Sequence, residues 1–139
     1  APHSLPQSKA PRFEVQLNHR LRRAHRYSVV LYLIRRHIQE FDFINCATAM
    51  SRLGHLSVSL GSSEHQALCG STELSLLLAK IENSMWDFNP QAMANTIWAL
   101  GRLRHNPGGQ FLQVLADRAL WCLNSFKPQE MSNLVWGVA

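Results

Sequence analysis

Phe88-Asn89-Pro90-Gln91-Ala92-Met93-Ala94-Asn95-Thr96-Ile97-Trp98-Ala99 and Phe126-Lys127-Pro128-Gln129-Glu130-Met131-Ser132-Asn133-Leu134-Val135-Trp136-Gly137 decide the fold. Phe, Pro, Gln, Met, Asn and Trp recur in the same places, 38 residues apart. The residues upstream keep the offset: Leu74, Leu77, Ile81, Met85 and Phe88 fall on Leu112, Leu115, Ala119, Leu123 and Phe126. A fixed period of this length marks architectures in which one supersecondary unit stacks on the next. A weaker third copy, Phe43–Leu53, aligns with Met93–Leu103 at an offset of 50 residues, which is the period plus twelve. The extra residues belong in Gly54–Ser71, whose glycines and serines read as a loop.

Each repeat reads as two helices. Pro90 suits a first helical position, where its missing N–H costs nothing. Met93, Ile97, Leu100 and Arg104 then follow at helical spacing, with Ala94 and Gly101 beside them for close helix approach. Asn106-Pro107-Gly108-Gly109 reads as the turn. A second helix is expected over about 110–124, with Leu112, Leu115, Ala116, Ala119 and Leu123 facing inward. Short amphipathic pairs cannot bury their apolar faces alone, so they stack. The expected fold is all-α: an α-solenoid of about three stacked helix-turn-helix repeats of period 38, with a basic N-terminal extension. The boundaries expected are 1–26 for the basic arm and helix, and 27–139 for the solenoid. Its units are 41–86 with an inserted loop at 54–71, 87–124, and a partial one at 125–139. Residues 1–11, with Pro2, Pro6 and Pro11, read as an extended arm. Phe13–Arg26 reads as a basic helix and Tyr27–Gln39 as a packed helix of an earlier, degenerate repeat. The chain stops at Ala139 inside the first helix of a repeat, without a polar cap. The expectation is therefore a fragment, or an end covered by a partner.

Apolar residues make up 46% and charged residues 17%, enough to bury a core and unlike a disordered chain. The net charge of +5 favours an anionic partner. That charge is local. Residues 1–40 hold eight basic against two acidic residues, and residues 41–139 hold six against seven. Cys46, Cys69 and Cys122 are odd in number and lack metal-ligand spacing, which fits idle thiols in a reducing compartment. No apolar run approaches the ~18 residues of a membrane span.

The two long copies, Pro90–Leu100 and Pro128–Gly137, resemble the octotricopeptide repeat, whose helix pairs carry an Ala-Asn-Thr-x-Trp-Ala-Leu core. Related helical repeats occur in RAP-domain proteins and in Fas-activated serine/threonine kinase-like proteins. The resemblance spans roughly residues 40–139 and is strongest over 72–139. It implies an α-solenoid acting on RNA in an organelle, the mitochondrion ahead of the chloroplast. The tasks it implies are transcript stabilisation, processing, translation or ribosome assembly. The copy at residue 43 carries Thr48 where the pattern has Trp.

Gln91, Asn95, Trp98 and Arg102 lie 4, 3 and 4 residues apart and so share one helix face. Gln129, Asn133 and Trp136 repeat it, and Asn45, Thr48 and Arg52 are its degenerate counterpart. Such a stripe suits single-stranded RNA: amides meet base edges, an aromatic stacks, and a cation meets phosphate. The competing reading is that the invariant Asn ties each helix to its neighbour and the invariant Trp fills the core between repeats. Base reading then falls to positions that vary between repeats: Asn89/Lys127, Ala92/Glu130/Asp42 and Thr96/Leu134/Cys46. The second candidate is the basic cluster Arg20, Arg22, Arg23 and Arg26, extended by Arg35 and Arg36, as a sequence-blind phosphate contact. Its alternative is a solvated helix face.

Nothing in the sequence favours an enzyme. The carboxylates are scattered, the histidines lack metalloprotease spacing, and no Gly-rich phosphate loop follows a strand. Neither a cofactor nor a metal is expected. The reading is an organellar RNA-binding repeat protein, holding structured or ribosomal RNA within a mitochondrial or chloroplast ribosome or RNA-maturation complex. Its partners are RNA and the other proteins of a ribonucleoprotein. The alternative is a protein–protein scaffold in a large organellar complex. RNA binding requires an open, positive face at Asn95–Arg102, whereas scaffolding leaves an apolar patch there.

Overall fold

Helix signals recur along the chain, and the computed structural model, which describes residues 12–123, builds seven α-helices from them. Among the described residues there is no strand. Helix α1 is Phe13–Arg23 and α2 is Tyr27–His37, followed by a 3-10 turn at Ile38–Glu40. Neither has a side-chain cap; both hold their place by the apolar residues Leu17 and Leu21, and Val30, Leu33 and Ile34. Helix α3, Phe43–Ser57, begins in a capping box. Asp42 accepts the Asn45 backbone N–H, and the Asn45 side chain accepts the Asp42 N–H.

Helix α4 is Ser62–Cys69 and α5 is Thr72–Asn83, the latter capped by the Ser71 hydroxyl and followed by a 3-10 turn at Met85–Asp87. Helix α6, Pro90–Leu103, starts with an Asn89 cap and the expected proline at its first position. It ends in a left-handed residue, Arg104, at φ 51°. The N–H of Arg104 donates to Gly101 C=O and that of His105 to Leu100 C=O, the two bonds of a Schellman motif. Helix α7, Gly109–Cys122, follows Gly108, whose φ of 97° suits glycine alone.

Helices α1, α3 and α6 contact one another in succession, as do α2, α5 and α7. The tightest pair is α3 with α6. Gly54 makes it possible: a Cβ there would stand 3.0 Å from the Trp98 ring and 3.1 Å from Ala99 Cα. One core runs through the described residues, from Leu17 and Leu21 through Met50, Leu53 and Leu77 to Phe88, Met93 and Phe111. The all-α expectation therefore holds.

Two local expectations do not. Gly54–Ser71 is no loop: α3 continues through Gly54 to Ser57, and α4 occupies 62–69. Gly61 caps α4, Glu64 complements its positive end, and fully buried Leu68 anchors it. In α7 the expected inward face holds at Leu115 and Ala119, but its two ends are shifted by one residue. Phe111, Leu115 and Cys122 are buried, whereas Leu112 and Leu123 are exposed and so is Ala116. The large Phe111 ring claims the core position, and Arg118 fixes the rotation by donating twice to Phe88 C=O, at 3.1 and 2.9 Å. The expected basic helix is present as α1, and Leu17 and Leu21 bring it into the common core against α3. The partial repeat at 125–139 lies outside the described residues.

Candidate nucleic-acid interface

The polar stripe of α6 and its counterpart on α3 have different surroundings. Asn45 is 1% exposed. Its amide donates to Glu14 C=O at 2.9 Å and to Asn18 Oδ1 at 3.3 Å, tying α3 to α1. Arg52 donates through Nε to Ala24 C=O at 2.8 Å. Both were candidates for an RNA groove, and both are instead committed to neighbouring backbone. The Ala24 carbonyl, buried beyond the last turn of α1, would be costly without a partner, and Arg52 supplies one.

On α6, Gln91 and Arg102 are exposed and Asn95 and Trp98 half-buried. Asn95 makes no side-chain hydrogen bond among the described residues. No buried polar side-chain atom there is left unsatisfied, so its amide reaches solvent. The Arg102 guanidinium lies 5.6 Å from the centre of the Trp98 ring, and the His55 ring lies 4.5 Å from it on the α3 side. Trp98 thus packs on Gly54, as the core reading expects in part, and it also holds a cation, which neither reading expected. Burial, then Arg52 and Arg102, push His55 below the ordinary histidine range. Burial, then His65, do the same to His105.

The positions that vary between repeats are not a reading surface where they can be seen. Ala92, Thr96 and Cys46 are buried, and Thr96 donates to Ala92 C=O. Asn89 and Asp42 are helix caps. Gln129, Asn133, Trp136, Lys127, Glu130 and Leu134 lie outside the described residues.

The basic cluster divides. Arg20, Arg22, Arg23, Arg26, Arg35 and Arg36 are all exposed. Arg20, Arg23 and Arg26 rim a shallow depression of about 430 Å³ together with His25. Arg22 is on the other flank of α1, because successive helical residues turn by ~100°. Arg35 and Arg36 stand at the far end of α2, ten residues and ~15 Å along the axis from Arg26. Arg35 is further held by Glu73 at 3.2 Å, the one salt bridge among the described residues. The six arginines therefore do not converge on one phosphate track.

A larger cleft, about 950 Å³, opens where the ends of α3 and α6 meet the side of α4. Trp98, Arg102 and Arg104 line one wall and Ser62, His65 and Gln66 the other. A depression of about 450 Å³ lies beside it, sharing Leu60 with the cleft and His25 and Arg26 with the α1 depression. Shared lining residues thus set the three in a row from α1 to α6, a broken furrow. Sequence reading missed its α4 wall and Arg104. The α4 wall was legible in Gly61 followed by Ser62 and Glu64, a helix-start pattern. Arg104 sits in line with the apolar stripe by spacing, but the left-handed turn throws it out to solvent.

The thiols are idle in geometry. Cys46 is buried and pushed up to about 12 by that burial, and Cys69 is also raised by burial. Among the described residues, no three His, Cys, Asp or Glu side chains gather as a metal site, and no helix is long and apolar enough to cross a membrane. Compared with models of known protein families, with curated proteins and with solved structures, the chain matches none.

Proposed function

We propose that this chain is a helical-repeat protein that binds RNA along the furrow from α1 to α6. The stacking successions α1–α3–α6 and α2–α5–α7 are the two layers of a short solenoid on this reading. One observation carries it. The furrow is lined by Arg20, Arg23, Arg26, Arg102 and Arg104, with Glu64 as its single carboxylate. Five arginines against one carboxylate suit a phosphodiester backbone. The resemblance to octotricopeptide repeats adds an organellar setting, with structured or ribosomal RNA as the target and the mitochondrion ahead of the chloroplast. The Asn95–Arg102 face, where scaffolding needs an apolar patch, is polar and positive.

The scaffold reading has one observation of its own. Trp86 and Trp121 are 62% and 76% exposed, and their rings meet edge-on at 6.3 Å. Leu120 is 72% exposed beside Trp121. That patch suits a protein neighbour in a ribonucleoprotein.

The test is ultraviolet crosslinking in the native complex, followed by sequencing of the attached RNA and mapping of the attached peptides. Peptides from the α1–α2 turn or the end of α6, joined to one RNA region, are the expected result. Recovery of protein neighbours without RNA would move the chain to the scaffold class. In binding assays, R20A/R23A/R26A should lower the salt dependence by ~2 in log–log slope, three contacts at ~0.7 each. R22A alone should leave it nearly unchanged. Equal effects of the two variants would remove the furrow as the path.

A further inference from the structure

Arg104 occupies a position that helices reserve for glycine. A left-handed residue with a Cβ costs roughly 1 kcal/mol, and the Schellman turn at 104 has room for none of that to be recovered by packing, since Arg104 is exposed. Stability alone would place Gly here. What the strained turn achieves is to bring Arg104 into the same cleft as Arg102, one wall of the furrow. Arg102 is itself oriented, by the face of Trp98. Neither forms a salt bridge among the described residues, and no acidic side chain lines the cleft.

The opposite wall is different in kind. Ser62 and Gln66 of α4 make no side-chain hydrogen bonds among the described residues, and His65 makes only long contacts with Cys69 at 3.9 Å. The cleft therefore offers two cations on one side and neutral donors and acceptors on the other. Its volume lies within the ~300–1,000 Å³ of small-ligand sites. The depression of His25 and Arg26 shares Leu60 with it, so a longer chain seated in the cleft would have that depression next to it.

We propose that this cleft seats one nucleotide unit of a single-stranded RNA, with Arg102 and Arg104 on its phosphate and Ser62, His65 and Gln66 meeting its base and ribose edges. Trp98 is a positioning residue that holds the Arg102 guanidinium. The α4 insertion, absent from the other repeats, is what closes the site. This rests on the RNA reading and sharpens it to one place.

The experiment measures binding of a short fluorescein-labelled oligouridylate to the full chain. The R102A/R104G variant separates folding from binding, because a glycine at the helix end relieves the left-handed turn. Its urea midpoint should stay level or rise. Its affinity should fall about tenfold, and its salt slope by ~1.4, two contacts at ~0.7 each. Crosslinked peptides should include 62–66 or 98–104. Unchanged affinity in R102A/R104G, with weakened binding in R20A/R23A/R26A, would overturn the cleft while the furrow stands. Failure of the wild-type chain to bind any oligonucleotide would overturn both. Competition by adenosine monophosphate as strong as by the oligonucleotide would make it a free-nucleotide site, and equal competition by polyglutamate an acidic-protein site. Either outcome overturns the proposal.

Discussion

Helices α3 and α6 are aligned copies of one sequence pattern, yet they use the same residue types in opposite ways. Asn45 and Arg52 of α3 bond to the backbone of α1 and of the turn after it. Asn95 and Arg102 of α6, at the aligned positions, face solvent and the cleft. The difference lies in what stands opposite. Helix α1 and the turn after it offer the carbonyls of Glu14 and Ala24 to the α3 stripe. Along the α6 stripe it is the rings of His55 and Trp98 that meet. An amide or guanidinium near an unsatisfied carbonyl satisfies it; the same group without one remains available to a ligand. A repeat position thus has no fixed role, and its role is set by the neighbour it meets.

The sharpest way to break this comparison is at the asparagines. Asn45→Ala removes half a capping box and both amide bonds that tie α3 to α1, to Glu14 C=O and Asn18 Oδ1, at a cost of about 2–3 kcal/mol. Asn95→Ala should change stability by less than ~0.5 kcal/mol. Urea denaturation of both variants measures the gap, and equal losses would mean that α6 is tied to its neighbour as α3 is.

Next in size is the seam between the two helices. Gly54→Ala would press a Cβ to 3.1 Å from Ala99 Cα, which is backbone and cannot swing aside. Trp98, at 3.0 Å, would also have to move. The expected cost is about 1–3 kcal/mol. Because Trp98 orients Arg102, weaker oligonucleotide binding should accompany it. A neutral substitution would show that the helices do not touch there.

The smallest effect concerns His55, which both arginines face. Burial, then Arg52 of its own helix and Arg102 of α6, lower its affinity for a proton. The fold favours the neutral ring, so the stabilisation is full above the unfolded value of about 6.5 and is lost as pH falls through it toward the lower folded value. Unfolding midpoints should decline between neutral and mildly acidic pH. In NMR titrations, Arg52→Ala and Arg102→Ala should each raise the His55 imidazole transition. Arg52→Ala should also destabilise, through the lost bond to Ala24, and Arg102→Ala should not. No shift in either variant would remove the electrostatic link between the helices.

The Pro90 start, the turn before α7 and the all-helical class were legible in sequence, because each depends on residues near one another in the chain. Periodicity fixes a helix, a proline or glycine fixes its end, and neither needs a partner to be known. The α4 insertion was missed because its single anchor, Leu68, is too sparse a signal among serines and glycines. The shifted start of the α7 face was missed because Phe111 and Leu112 are adjacent, and only the core decides which is inside.

The candidate site divides along the same line. That Gln91, Asn95, Trp98 and Arg102 share a face follows from helix geometry alone. That Asn45 is buried, that Arg36 stands apart from Arg23, and that Arg104 joins Arg102 across from α4 were decided by the tertiary structure. Helical spacing determines which residues of one segment point together. Whether that shared direction meets a carbonyl, an aromatic ring or an open cleft depends on segments far away in the chain, whose placement is set by the packing of the whole core.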